Sequence, residues 1–164
     1  MNHSDRVRSS WPGLRTWLAS TPHRTFVVYP LAVLLFEFVL RRGHIEPDLR
    51  GAPLLIWGYL QYRLIGHYRR HLGGGGPGTE VPPLRLVITG PYRYTRNPIY
   101  LGHLIFLLGL AITLRSWAAL VLFAFAAVWF HRRVVRDEAR LQSLFGSEYL
   151  SYRSRVARWI PAVT

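Results

Sequence analysis

The hydrophobic positions of this chain fall into four long runs separated by short polar stretches. The runs cover residues 25–40, 52–68, 98–114 and 116–130. With the arginine and aromatic residues at its ends, each approaches the roughly 17 to 25 residues that an α-helix needs to cross a bilayer. We therefore predict an all-α integral membrane protein with about four transmembrane helices. The first run lacks a small-residue cleavage site, so we expect it to remain as a helix and not to be removed as a signal peptide.

Two features predict how these helices pack. Arg115 alone separates the last two runs, and Ser116 is available as an N-cap, so residues 98–131 should form a tight antiparallel hairpin. Gly102 and Gly109 lie seven residues apart on one face of the third helix, where they would allow another helix to approach closely.

Charge is concentrated at the ends of the hydrophobic runs. The formal net charge is +13, all 21 basic residues are arginine, and the absence of cysteine excludes disulfides, thiolate nucleophiles and cysteine metal sites. The histidines form no HExxH pattern, so no metal site is predicted. Within the runs, Glu37 and Arg63 could form an ion pair, although their spacing alone does not establish it.

Arginine is distributed unequally between the two sides that this pattern defines. The N-terminal tail, the central loop and the C-terminal part are rich in arginine, whereas the opposite side carries Arg41, Arg42, Arg50 and Arg115. The positive-inside rule therefore places both termini and the central loop in the cytoplasm. Because the basic residues flank membrane segments, we expect membrane lipids with anionic headgroups, and no nucleic acid, as their partners.

We interpret residues 1–164 as a single membrane domain with four parts. These are N-terminal transmembrane helices (1–72), a cytoplasmic loop (73–97), the helical hairpin (98–131) and short cytoplasmic helices (132–164). The loop begins with a glycine-rich run at 73–78, which we interpret as a flexible linker. The alternative is a hinge that lets residues 81–94 close over a ligand as a lid.

Residues 90–102 combine turn chemistry with the start of the third helix. Asn97 and Pro98 have the chemistry of an N-cap and a first helical position, where the missing proline N–H costs nothing. A helix N-terminus reached through a loop of tyrosines and arginines suits a ligand with anionic groups and an aromatic base. The alternative is a capped transmembrane helix whose arginines and tyrosines contact lipid headgroups.

A second polar constellation follows the fourth run. Apolar residues recur at helical spacing over 134–145, and Gly146 can end that helix, leaving 148–158 as a second short helix on the membrane surface. The adjacent acids Asp137 and Glu138 lie among arginines. Local ion pairing on a solvated helix is the alternative to a ligand site there.

Together these two constellations resemble a known family. Gly-Pro-Tyr-Arg-Tyr at 90–94, Arg-Asn-Pro-Ile-Tyr-Leu-Gly at 96–102, Asp-Glu-Ala-Arg-Leu at 137–141 and Phe-Gly-Ser-Glu-Tyr at 145–149 are similar to the isoprenylcysteine carboxyl methyltransferase family and its bacterial phospholipid-methyltransferase-like relatives. The order and spacing of these motifs around a helical hairpin carry the resemblance, which covers residues 81–161. It implies an integral membrane enzyme that uses S-adenosylmethionine near the cytoplasmic face. The arginine-only basic composition and the compact size predict a bacterial source, and therefore a bacterial inner membrane.

By position, the resemblance also implies where the cofactor binds. Asp137 or Glu138 would contact its methionyl ammonium, and Arg133 matches the family's arginine at the substrate side. The apolar stripe around Glu138 favours Glu138 for the cofactor and leaves Asp137 to orient Arg133, so Arg133 and Glu138 are the predicted catalytic residues. The residues predicted to bind the cofactor are Leu84, Arg85, Leu86, Val87, Tyr92, Asn97, Pro98, Ile99, Tyr100, Asp137 and Glu138.

The chemistry implied by the resemblance asks little of the protein. Methyl transfer from a sulfonium is an in-line displacement with a neutral leaving group, so orientation, desolvation and complementary charge suffice. Asn97 stands where the family often has a histidine, which excludes a histidine base there. A carboxylate acceptor needs no base and would be held by an arginine, whereas a protonated amine must first lose a proton. The choice between O- and N-methylation, the identity of the lipophilic acceptor entering from the bilayer and the oligomeric state stay open.

Two other classes of protein are compatible with this architecture. A sterol-reductase-like membrane oxidoreductase would use NADPH and normally has more helices. A non-enzymatic lipid-binding membrane protein would need no cofactor. The paired motifs favour the methyltransferase over both.

Overall fold

The computed structural model describes Trp17, residues 20–74 and residues 83–160, and these parts are all-helical, as predicted. Within them, four long helices follow one another: α1 (Thr21–Leu40), α2 (Ala52–Gly73), α3 (Pro98–Thr113) and α4 (Trp117–Arg155). A π-helical turn, Arg24–Val28, interrupts α1. Short 3₁₀ turns lie before α2 (Leu49–Gly51) and in the central loop (Gly90–Arg93).

The helices differ in how well they suit a membrane. By length and composition, α1 and α4 are able to cross one, and α3 is apolar over a shorter stretch of 16 residues. Polar side chains interrupt α2 from Gln61 onward, and it is not among these apolar helices. Two helices of the described residues therefore meet these criteria, and the count of four transmembrane helices stays a prediction.

Polar contacts join the connections at one end of the bundle, which we call the turn end. Arg41 donates from Nη2 to the carbonyl oxygens of Leu114 (3.0 Å) and Arg115 (2.9 Å). The backbone N–H of Asp48 donates to the carbonyl oxygen of Thr113 at 2.7 Å. The α1–α2 connection therefore lies against the α3–α4 turn, and the opposite end, with residues 73–74 and 83–97, is the loop end.

The predicted hairpin of α3 and α4 is confirmed. Ser116 is the N-cap of α4, and its Oγ accepts a hydrogen bond from the backbone N–H of Ala119 at 3.0 Å. Arg115 completes the reversal with a positive φ of 46°.

Glycine brings α2 and α3 into close contact. A Cβ at Gly58 would lie 2.5 Å from the backbone nitrogen of Phe106, and one at Gly102 would lie 2.9 Å from the carbonyl oxygen of Gly58. A Cβ at Gly109 would lie 2.7 Å from the backbone nitrogen of Leu55. The close approach predicted for Gly102 and Gly109 is confirmed, and the partner is α2.

The structure corrects the prediction of a separate helix after residue 131. No glycine or proline stands between residues 117 and 145, so α4 continues through this region without a break. Gly146, with φ 51° and ψ −123°, ends this first part, as predicted, and the helix resumes to Arg155. Residues 132–145 are therefore the extension of the apolar helix that begins at Trp117.

Two further predictions have a different outcome. Glu37 forms an ion pair with Arg41, one turn later on α1, at 2.7 Å, whereas Arg63 is exposed on α2, so the Glu37–Arg63 pair is wrong. Residues 75–82, with most of the glycine-rich run and the start of the proposed lid, lie outside the described residues. The carbonyl oxygen of Gly73 accepts hydrogen bonds from the N–H groups of Leu84 (2.7 Å) and Arg85 (3.1 Å), which returns the chain to the end of α2.

The two glycines inside α2 provide a matched test of this packing. A Cβ at Gly66 would meet nothing within 4 Å, in contrast to one at Gly58. We expect Gly58→Ala to destabilise the protein by about 1–3 kcal/mol, because the methyl group forces α2 and α3 apart. Gly66→Ala should leave stability unchanged or raise it by up to about 1 kcal/mol, because alanine favours the helix. Thermal unfolding in one detergent measures both, and equal midpoints would contradict the close contact.

Candidate functional site

A cavity lies at the loop end, between the end of α2, the central loop, the N-terminus of α3 and the second half of α4. It measures about 90 Å³ and is partly open. Arginines, acids and tyrosines mix with apolar groups in its wall. The lining residues are Arg69, Pro83, Leu86, Val87, Tyr92, Arg96, Asn97, Pro98, Ile99, Tyr100, Asp137, Glu138, Arg140, Leu141, Tyr149 and Tyr152.

The cavity brings together most of the residues that the sequence singled out. Of the predicted cofactor residues, all line it except Leu84 and Arg85. Leu84 is 81% exposed and Arg85 is also exposed, whereas Val87 is buried beside Gly73 at the end of α2. Arg133, the predicted substrate-side residue, stands outside the lining and reaches it through Asp137.

Glu138 is the buried charge around which the site is built, with 5% of the residue exposed. Arg96 donates to its two oxygens from Nε (3.1 Å) and Nη2 (3.3 Å), and Arg158 donates from Nε (3.2 Å) and Nη2 (3.0 Å). A buried carboxylate is costly unless it is paired and hydrogen-bonded, and here two guanidinium groups supply both. Glu138 therefore links α4 to the start of α3 and to the segment after α4.

Asn97 has the position of an N-cap but not its function. Asn97 is the N-cap residue and Pro98 the first residue of α3, as predicted, but the Asn97 side chain makes no capping hydrogen bond. Its Nδ2 donates instead to Glu138 (3.3 Å) and to the carbonyl oxygen of Arg158 (3.2 Å). The buried acceptors across the site draw the amide away from the helix end.

The segment after α4 is held over the N-terminus of α3. The backbone N–H of Arg96 donates to the carbonyl oxygen of Ala157 at 2.9 Å, and its Nη1 donates to those of Arg153 (2.8 Å) and Val156 (3.1 Å). Thr95 adds a hydrogen bond from Oγ1 to the carbonyl oxygen of Arg158 at 3.1 Å. Residues 156–158 thus form part of the site, although they contribute no lining side chain.

Asp137 faces a different set of partners. It accepts a hydrogen bond from the Tyr100 hydroxyl at 2.7 Å, and its Oδ2 lies 3.7 Å from Nε of Arg133. Its side chain is 31% exposed, against 6% for Glu138. A carboxylate can accept about four hydrogen bonds, so Asp137 has room for a further donor in the cavity.

Two tyrosines of the last helical turn line the cavity, and the sequence reasoning did not assign them. Tyr149 is 1% exposed, and its hydroxyl has no hydrogen-bond partner among the described residues. Burial, and then the negative charge of Glu138, raises the pKa of Tyr149 to about 12, so the hydroxyl keeps its proton at neutral pH and can donate. Tyr152 donates to the carbonyl oxygen of Tyr92 at 2.8 Å. Their spacing of three residues on a helix was the signal that could have paired them.

Comparison with known proteins finds a matching family and several similar methyltransferases. Residues 61–148 match the model of the phospholipid methyltransferase family. The chain is 38% identical over 80 residues to Protein-S-isoprenylcysteine O-methyltransferase of Schizosaccharomyces pombe, which covers 48% of this chain and 34% of that protein. It is 35% identical over 91 residues to Methanethiol S-methyltransferase 1 of Bradyrhizobium diazoefficiens. That alignment covers 51% of this chain and 29% of the relative. The matches thus span about a third of the length of these relatives.

A solved structure shares the fold. The eukaryotic intramembrane Ras methyltransferase ICMT (isoprenylcysteine carboxyl methyltransferase) aligns with a TM-score of 0.61 at 21% identity. The alignment covers 88% of this chain and 54% of that chain. The likeness at this identity concerns the arrangement of helices.

Arg158 and Arg155 provide a test of the Glu138 contacts. Arg158→Gln removes one of the two guanidinium groups that pair with the buried carboxylate of Glu138. We expect it to lower the free energy of unfolding by about 1–3 kcal/mol. The backbone amide hydrogen of Arg96 should also exchange faster, because the segment after α4 no longer holds the carbonyl oxygen of Ala157 in hydrogen-bonding position. Arg155→Gln is the matched control, since its guanidinium lies on an exposed surface and bonds Ser151. Hydrogen exchange and thermal unfolding measure both effects, and identical exchange in the two variants would count against this role of Arg158.

Proposed function

Because the chain belongs to the phospholipid methyltransferase family, we propose that it is a membrane methyltransferase that transfers a methyl group from S-adenosylmethionine to a lipophilic acceptor. The observation that carries the proposal is the loop-end cavity, where Asp137 and Glu138, which lie inside the family-matched region, meet tyrosines and arginines. The family match argues against the sterol-reductase-like oxidoreductase and against a lipid-binding protein without catalysis.

The residues of the cavity fit the cofactor chemically. S-adenosylmethionine carries an ammonium, a carboxylate, a sulfonium and an adenine ring. Asp137 suits the ammonium, Arg140 the carboxylate and the aromatic face of Tyr92 the adenine, and all three line the cavity. The enclosed 90 Å³ is smaller than the roughly 300–1,000 Å³ that surrounds a ligand of drug size, so the cofactor would also fill the open side.

The contacts favour Asp137 over Glu138 for the ammonium, which revises the expectation from sequence. Glu138 already accepts hydrogen bonds from Arg96, Asn97 and Arg158, and their two positive charges would repel a cation brought to it. Asp137 is more exposed and pairs with Arg133 at the longer distance of 3.7 Å. In this proposal Glu138 is a positioning residue and Asp137 touches the cofactor.

The protein's contribution to the reaction is then orientation and charge. S-adenosylmethionine supplies an activated methyl group when it is bound. Asp137 holds the ammonium, the Tyr149 hydroxyl donates a hydrogen bond inside the cavity, and Arg133 stands at the acceptor side. Asn97 provides no base, which favours an acceptor that is already nucleophilic. The similar enzymes are named for acceptors as different as isoprenylcysteine and methanethiol, so the acceptor must be inferred from this chain's own residues.

We also propose that all four helices span the membrane, with the loop end in the cytoplasm of a bacterial cell and the protein in its inner membrane. The loop end carries the basic residues of α4 from Arg132 onward, whereas the turn end carries few. The close contact of α2, the more polar helix, with α3, the shorter one, supports the proposal, because each helix covers part of the other's surface.

Cofactor binding tests the proposed function directly. In phosphatidylcholine nanodiscs, calorimetry should show S-adenosylmethionine binding, and Asp137→Asn should weaken it by about 1–3 kcal/mol through loss of a charge-assisted hydrogen bond. Glu148→Gln is the matched control, because Glu148 is exposed on the same helix and lies outside the cavity lining. Binding of NADPH without S-adenosylmethionine would reject the methyltransferase.

Tyr149 offers a test that separates binding from folding. Its hydroxyl makes no hydrogen bond within the described residues, so Tyr149→Phe should leave the unfolding temperature unchanged or raise it. In the same variant, S-adenosylmethionine binding should weaken by about 0.5–1.5 kcal/mol, as measured by the calorimetry described above. Tyr152→Phe is the comparison, since it removes a hydroxyl bonded to Tyr92 and should lower the unfolding temperature. Unchanged affinity in Tyr149→Phe would exclude a cofactor contact.

A further inference from the structure

A second cavity, of about 260 Å³, lies between α1 and α4. On α4 it is next to the site at the loop end but nearer to the apolar start of that helix. Its wall is mostly apolar, with one arginine. The lining residues are Thr21, Arg24, Thr25, Tyr29, Leu122, Phe125, Ala126, Trp129 and Phe130. We call it the α1–α4 cavity.

The side of this cavity formed by α1 is irregular backbone. Arg24 and Thr25 belong to the π-helical turn, and Thr21 and Tyr29 flank it. Single π-helical turns inside α-helices are rare and occur often at functional sites. The turn here opens α1 at the level where it faces Trp129.

Two arginines approach the same indole ring at the edge of the cavity. The guanidinium carbon of Arg24 lies 5.3 Å from the ring centroid of Trp129, and that of Arg133 lies 5.8 Å from it. Nε of Arg24 is buried and has no hydrogen-bond partner among the described residues. A buried donor without an acceptor costs free energy, and an anion that accepts from it would recover that energy. A cationic head group would be repelled by both arginines.

The α1–α4 cavity is connected to the loop-end site through Arg133. Arg133 lies 3.7 Å from Asp137, which lines the first cavity, and it approaches Trp129, which lines the second. α4 is helical without a break over these residues, so Trp129 and Asp137 are separated by about 12 Å along its axis. Arg133, which approaches both Trp129 and Asp137, therefore links a head group in the second cavity to the position proposed for the cofactor.

We propose that the α1–α4 cavity binds the acceptor's anionic head, with Arg24 and Arg133 as its cationic contacts and the hydrocarbon chain leaving past Leu122 and Phe125 into the bilayer. Phe125 is 71% exposed, which opens this end toward lipid. The volume is below that of a pocket for a whole drug-sized ligand, so it suits a head group and the start of one chain. This inference rests on the proposed function, because it assigns the acceptor of the same reaction.

Two kinds of lipid carry such a head. One is a long-chain carboxylic acid, whose carboxylate would be the methyl acceptor. The other is a single-chain phosphatidylethanolamine, whose phosphate would lie at the arginines while its amine accepts the methyl group. Both share an anionic group on one hydrocarbon chain, and the products differ, since a methyl ester is cleaved by base and a methylated amine is not.

Binding of defined lipids tests the proposal. The probes are palmitic acid, lysophosphatidylethanolamine and the uncharged palmityl alcohol, each added to the protein in phosphatidylcholine nanodiscs. We expect Arg24→Gln to weaken binding of palmitic acid or of lysophosphatidylethanolamine by at least about tenfold, with palmityl alcohol and S-adenosylmethionine unaffected. Arg132→Gln is the control, because Arg132 is an exposed arginine next to Arg133 on α4. Equal binding of both anionic lipids by the two variants would overturn the proposal.

Photolabelling provides a measurement that needs no variant. Palmitic acid with a diazirine near its head should label residues 21–29 and 122–130 of the wild-type protein, and label confined to other segments would overturn the proposal. Release of the transferred methyl group by base would identify the carboxylate source, and base-stable label on the ethanolamine lipid would identify the phosphate source. Arg24-dependent lipid binding without S-adenosylmethionine binding would reject the proposed function and the acceptor role together. S-adenosylmethionine binding with no dependence on Arg24 would reject the inference alone.

Discussion

The burial of one carboxylate organises the loop end of this protein. Glu138 lies inside α4, away from water, and a charge in that position is stable only while donors surround it. The donors come from two places distant in the chain, the start of α3 and the segment that follows α4. Through these contacts Glu138 joins α4 to Arg96, before α3, and to Arg158, in the segment after α4.

The sequence predicted the parts of the fold that depend on local pattern. The apolar runs gave the helices, Ser116 gave the start of α4, and Gly102 and Gly109 gave a close helix contact, because each signal lies within one element. The predictions that depend on contacts between elements fared less well. The Asn97 side chain donates to Glu138 on α4 and makes no capping hydrogen bond. Glu37 pairs with Arg41 one turn later on α1, and not with Arg63 on a neighbouring helix.

The candidate site shows the same division. Motif positions located most of the lining residues, since they lie close to the helix start at Pro98 and on one face of α4. Tyr149 and the segment at Arg158 were missed, because the glycine at 146 predicts a break but not the direction of the chain after it, which depends on contacts such as that of Arg158 with Glu138. The end of α4 was placed too early, because the apolar run stops at residue 130, whereas the helix continues beyond it.

Between Trp117 and Phe145 the course of α4 is uninterrupted, and in the proposed orientation this part of the helix runs from the lipid interior to the aqueous side. Trp129, at the site proposed for the acceptor, and Asp137, at the site proposed for the cofactor, lie on this same helix. The helix rises by about 1.5 Å per residue, which fixes the distance between them along its axis. In this proposal the positions of these two residues along α4 fix the depth at which the methyl group is transferred, whatever the length of the acceptor's hydrocarbon chain. Such an enzyme would select its lipids by their heads and tolerate a range of chain lengths, whose surplus methylenes remain dissolved in the bilayer.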